Sequence, residues 1–146
     1  MNTYLYGKVI DFDKINSNNR IYPKDETIKA IESFNAKDTK LSEVFPIERS
    51  VDINLDNVGA ICEELIVEDN SVYAKLKVLD TKNWKDLDTL LSDKDGMCML
   101  SLRSTTTPSL LLDSNVMLIN DLSIISIDVL PFDCVDPDTI CKISKK

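Results

Sequence analysis

The sequence predicts an α+β, mostly β fold: a closed or half-closed, largely antiparallel barrel-like sheet with two or three peripheral helices. Three observations predict it. Two apolar-rich segments, Val58–Glu68 and Val72–Leu79, flank Asp69-Asn70, a pair suited to a hairpin turn. Ile124, Ile125, Ile127 and Val129 form a dense β-branched run of the kind found in central strands. Helical spacing of apolar residues shows in two stretches separated by strand-like sequence.

The elements follow in chain order. Tyr4–Phe12 alternates apolar and polar residues, as a half-buried strand requires. Asn16-Ser17-Asn18-Asn19 reads as a turn, because asparagine tolerates left-handed backbone. Pro23 favours a helix start, and Thr27, Ile28, Ile31 and Phe34 give the apolar stripe of a helix over Lys24–Asn35. Ala36–Arg49, with Pro46 inside it, reads as irregular. After the hairpin, Leu87, Leu90 and Leu91 mark a second amphipathic helix over Asn83–Ser92. Met97–Thr106 is a strand with a polar end, Ser109–Leu112 a short one, and Val116–Val129 contains the central strand, stopped by Pro131. Ile140–Ile143 adds a last edge strand.

A chain of 146 residues suits one domain, residues 1–146, burying roughly 70% of its unfolded surface. With 43% apolar and 29% charged residues, the composition is that of a globular protein. Only three glycines are present, so tight turns must rest on Asn and Asp. A net charge of −8 repels phosphate and argues against nucleic acid and anionic membranes as partners. The one basic cluster is the short Lys142, Lys145, Lys146 tail. Met1–Val9 lacks the basic and apolar regions of a signal peptide, and no apolar stretch approaches the ~20 residues of a membrane span. Without histidine, a zinc site would need all four cysteines, Cys62, Cys98, Cys134 and Cys141, which are widely scattered. No metal and no cofactor are expected, and the cysteines read as reduced thiols in a cytosolic setting.

Four stretches, in order, carry a family resemblance. They are Asn16-Ser17-Asn18-Asn19-Arg20-Ile21-Tyr22-Pro23; Val72–Thr81, ending Leu79-Asp80-Thr81 and followed by Leu90-Leu91; Leu100-Ser101-Leu102-Arg103-Ser104; and Ile127-Asp128-Val129 with Pro131 soon after. Together they resemble the head-maturation (prohead) serine proteases of tailed phages, whose fold is shared with the herpesvirus assembly proteases. The resemblance runs from about Tyr6 to Val135. It implies a β-barrel with surrounding helices, Ser101 at the nucleophile position and Arg103 at the arginine just after it. Leu41–Pro46 is similar to the segment of the family's first histidine, which places Phe45 there. Val58–Ile61 is similar to the second, which places Ala60 there.

That departure decides the expected chemistry. A serine hydroxyl needs a base within hydrogen-bond reach, and the base needs an orienting group. Phenylalanine and alanine can be neither, so the expected loss is on the order of 10⁶ in rate, the scale of removing a serine-protease triad. Replacement bases by sequence are Lys75, Lys77 and Lys94, or Asp80 and Glu43 with raised pKa values. The plainer readings are a polar strand residue for Ser101, a surface or ion-paired residue for Arg103, and a core aromatic for Phe45. Thr105, Thr106, Thr107 and Ser109 read as strand residues, since the glycines of a phosphate cradle are absent.

The function expected from the sequence is therefore a non-catalytic structural protein of the phage virion. It would be a capsid decoration, cement or other head-associated component, made in the host cytoplasm and held by multivalent contacts with capsid or other virion proteins. The alternative is an active or regulatory prohead protease homologue that uses Ser101 with a base other than histidine.

Overall fold

The computed structural model describes residues 3–16, 19–82, 85, 88–89, 98–107, 109–110, 115–131 and 142–145. Strand β1 spans Thr3–Asp11, β2 Arg20–Ile21, β3 Leu41–Glu43, β4 Val58–Glu68 and β5 Ser71–Val78. Strand β6 spans Cys98–Thr105, β7 Ser109–Leu110, β8 Met117–Leu118, β9 Ser123–Pro131 and β10 Lys142–Lys145, and helix α1 covers Lys24–Asn35. The architecture is α+β and mostly β.

Of the closed or half-closed barrel expected, the described residues show open sheets and no closure. The described strands form a five-stranded sheet in the order β10-β1-β5-β4-β3, a two-stranded β6-β9 ribbon, and a small β2-β8-β7 sheet. All pairings are antiparallel except β2 with β8. The ribbon packs against the large sheet at β3 and β1. A single parallel bridge, Val44 to Val129, joins the two, reinforced by the Phe45 N–H donating to Val129 O at 2.8 Å.

Alternation places the core. Leu5, Gly7 and Val9 of β1, and Val72, Ala74 and Leu76 of β5, face inward. Register shifts between Lys8 and Ile10 and between Cys62 and Glu64 mark β-bulges. Each inserts a residue, so the buried positions step by three, from Val9 to Phe12 and from Cys62 to Leu65. Helix α1 lays Thr27, Ala30, Ile31 and Phe34 against β9 and β4. Asp25 and Glu26 in its first turn complement the helix dipole. Its last residue, Asn35, clamps β4 by accepting from Leu65 N at 2.8 Å and donating to Leu65 O at 3.0 Å.

The scarcity of glycine shows in the turns. Asp13, Asn19, Asp69 and Asp121 all take left-handed φ angles, and so does Phe45, at φ 52°. Asp69 carries the β4–β5 hairpin. Two departures from the sequence reading stand out. Ala36–Arg49 is not wholly irregular, since β3 lies inside it. The Val116–Val129 stretch holds two strands, β8 and β9. The last edge strand is described over Lys142–Lys145, and Ile140 and Cys141 of the expected Ile140–Ile143 lie outside the described residues. Of the second helix, Lys82, Lys85, Asp88 and Thr89 are helical, whereas Leu87, Leu90 and Leu91 lie outside the described residues.

Candidate functional site

Residues paired across an antiparallel ladder share a face, and faces alternate along each strand. In the β6–β9 ribbon Ser101 pairs with Asp128 and Arg103 with Ser126. These four side chains therefore occupy one face. Leu100, Leu102, Ile127 and Val129 take the other, where Leu100, Ile127 and Val129 are fully buried. Ser101 is half-buried, and Asp128, Ser126 and Arg103 are buried.

That face is occupied by charge. Arg103 donates from Nη1 to Glu43 Oε2 at 2.7 Å and from Nε to Asp128 Oδ2 at 2.9 Å. Arg49 donates from Nε to the same Asp128 oxygen at 2.8 Å, and Ser126 Oγ donates to Asp128 Oδ1 at 3.2 Å. Glu43 also accepts from Asn54 N and Asn57 Nδ2. Two guanidinium groups thus face two carboxylates that are wholly withdrawn from solvent. Such a cluster is tolerable in a low-dielectric interior only because its charges cancel and its oxygens are bonded. Arg103 Nη2 and Ser42 Oγ are buried without a bonding partner.

The residues singled out by sequence gather here unequally. Ser101 and Arg103 are two apart on β6, beside Asp128. Phe45 is tied through its backbone to Val129, the neighbour of Asp128, and its ring is partly buried against the core. Ala60 is 1% exposed on β4, paired with Ser42 on β3 and Val78 on β5. Neither side chain offers a donor or acceptor. Arg103, for which surface and ion-pair placements were open, is ion-paired and buried.

The replacement bases fare differently. Lys75 and Lys77 alternate with the inward Ala74 and Leu76, so both face away from the core. Lys75 pairs with Glu63 at 3.7 Å and lies over the Tyr4 ring. Asp80 is exposed, and Lys94 lies outside the described residues. Glu43 is buried beside Arg103, already bonded as above. Cys62 and Cys98 are buried, and burial pushes the Cys62 thiol up to about 12. Cys134 and Cys141 lie outside the described residues. Thr106 donates its hydroxyl to Asn120 O, and Thr107 N donates to the same oxygen. In the asparagine-rich motif, Asn16 Oδ1 accepts from Arg20 N and Asn16 O accepts from Asn19 N, both at 3.0 Å; its Ser17 and Asn18 lie outside the described residues.

Sequence reasoning did not single out Arg49, and gave Asp128 no role beyond its motif. A signal was present for Asp128. A carboxylate inside the run Ile124–Val129 must be buried, and a buried carboxylate needs a cation.

The same arrangement of strands and helix recurs in a known structure. The chain is similar to the bacteriophage T4 capsid assembly protease, gp21, with a TM-score of 0.75 and 16% sequence identity. The match covers 87% of this chain and 80% of that chain. The protein has a prohead-protease-like fold. No family model matches the chain, and no curated protein matches it.

Proposed function

We propose that this protein is a non-catalytic, head-associated component of a tailed-phage particle, a decoration or cement protein that keeps the capsid assembly protease fold without its chemistry. The observation that carries the reading is the Ser101 face. It holds the Glu43–Arg103–Asp128–Arg49 cluster in a chain of 146 residues without a histidine. A serine hydroxyl becomes nucleophilic when a neighbouring base takes its proton. The carboxylate opposite Ser101 has one oxygen bonded by both arginines and the other by Ser126. Phe45 and Ala60, at the positions that resemble the histidine segments, supply no substitute.

Selection on such a molecule falls on shape and surface. Its partners are capsid or other virion proteins, engaged through repeated weak contacts that a lattice adds together. A net charge of −8 favours basic surfaces on those partners over nucleic acid.

A second reading follows from Ser101 itself. Only partly buried and opposite a carboxylate, it suits an active or regulatory protease homologue with a base other than histidine. One experiment separates the two. Treatment with a serine-directed phosphonate, followed by mass spectrometry, is expected to leave Ser101 unmodified. A phage carrying Ser101→Ala is expected to assemble with normally processed head proteins. Selective labelling of Ser101, or a mutant phage stalled with uncleaved head proteins, would overturn the proposal.

A further inference from the structure

The segment from Pro46 to Asn57 combines a rigid underside with an apolar outer side. Its underside is fixed to the charge cluster. Arg103 Nη1 donates to Ser50 O and Asp52 O, and Arg49 Nη2 donates to Leu102 O at 3.1 Å. Asn54 and Asn57 donate to Glu43, and Val44 N donates to Asn57 O at 2.8 Å. Within the loop, Asn54 Oδ1 accepts from Asp56 N at the start of a single 3₁₀ turn over Leu55–Asn57.

Its outer side carries Ile47 at 97% exposure, Val51 at 63% and Leu55 at 72%. These three are more exposed than any other large apolar side chain among the described residues. They recur every fourth residue, and each is followed at once by an exposed acid: Glu48, Asp52 and Asp56. A slack loop would turn such aliphatics inward. Here the bonds of Arg49, Ser50, Asp52, Asn54 and Asn57 hold the backbone over the cluster, and the three aliphatics stay outward. A long connection with little secondary structure of its own, anchored and outwardly apolar, has the properties of a contact surface.

We infer that Pro46–Asn57 is a preorganised docking loop for a protein partner that offers an apolar socket edged with lysine or arginine. Charge fixes that choice of occupant. The loop's own arginine, Arg49, is spent on Asp128, so the outward rim is acidic. A second copy would set acid against acid, in addition to the repulsion between two chains of −8 each. The inference deepens the head-component reading by naming its contact surface.

The test is photo-crosslinking inside infected host cells. A benzophenone amino acid is placed in the full chain at Ile47, Val51 or Leu55, with Val67 at the far end of β4 as the exposed control. Crosslinks from the loop to one protein are expected, mapped to a peptide containing lysine or arginine. The yield is expected to fall about tenfold in Glu48→Lys/Asp52→Lys/Asp56→Lys, equivalent to about 1.4 kcal/mol of binding. The single change Glu48→Lys, at an exposed position, serves if the triple variant melts early. Equal yield at Val67, crosslinks to a second copy, or a yield indifferent to charge reversal overturns the inference. A crosslinked partner that is not a head protein leaves the docking loop standing and removes the head reading. Loop positions that crosslink nothing, in a chain found by mass spectrometry in purified heads, do the reverse.

Discussion

Replacing Arg103 with methionine tests whether the cluster behind Ser101 is the keystone that its geometry indicates. The Arg103 side chain is 3% exposed, and both carboxylates that it bridges are at 0%. In Arg103→Met, Asp128 keeps Arg49 and Ser126, but Glu43 keeps only the neutral donors of Asn54 and Asn57. Removing one partner of a buried pair costs about 3–5 kcal/mol. The surviving bonds place Arg103→Met near about 3 kcal/mol. At roughly 3 °C per kcal/mol for a domain of this size, the melting temperature should fall by about 9 °C. Thermal unfolding followed by circular dichroism measures this directly. Raising the salt to about 0.5 M should change the difference little, because buried charges are poorly screened. The double variant Glu43→Leu/Arg103→Met should melt above the sum of its single effects, since both opposed charges leave together. A fall of less than about 2 °C for Arg103→Met, or strict additivity, would refute the reasoning.

Two further outcomes are expected. A Cβ at Gly59 would lie 2.6 Å from Val44 Cγ2, a buried β-branched side chain with little rotameric freedom, so Gly59→Ala should destabilise by about 1–3 kcal/mol in denaturant titration. The Cys62 thiol, raised by burial from 9.0 to about 12, stays protonated in the folded chain while the unfolded thiol ionises; stability is therefore full below about 9 and declines as pH rises towards 12. Cys62→Ala should flatten that part of the stability–pH curve, whatever it does to the stability itself, and an unchanged slope would rule the cause out.

The long elements were legible because their physics is local. Alternation in Tyr4–Phe12 and Val72–Leu79, and the stripe Thr27, Ile31, Phe34, announce themselves within a few residues. Strand β3 was not legible: Leu41-Ser42-Glu43 is three residues long, and two of them are polar. Glu43 is tolerated there because it finds Arg103 sixty positions away, a pairing that no local pattern encodes, and Ser42 is buried with its hydroxyl unbonded. Barrel closure was equally out of reach. Among the described residues, β6 and β9 meet the large sheet's hydrogen bonding at one bridge, Val44 to Val129, between residues 85 positions apart. The candidate site was half legible. Ser101 and Arg103 came from a motif, and their neighbour Arg49 became visible only when the chain's path brought it over Asp128.

Strand β10 has a consequence in time. It pairs Lys145 with Thr3 and Ile143 with Leu5, so the first and last described strands lie side by side. During synthesis at roughly 5–20 residues per second, the ribosome needs on the order of ten seconds to travel from one to the other. In the later half of that interval β1 can already zip to β5, yet its other edge still awaits β10. An unpaired edge is a template for strands of other chains. The nascent protein is most prone to stick to its siblings before β10 arrives, and slowing its translation should lower the soluble yield while leaving the folded molecule unchanged.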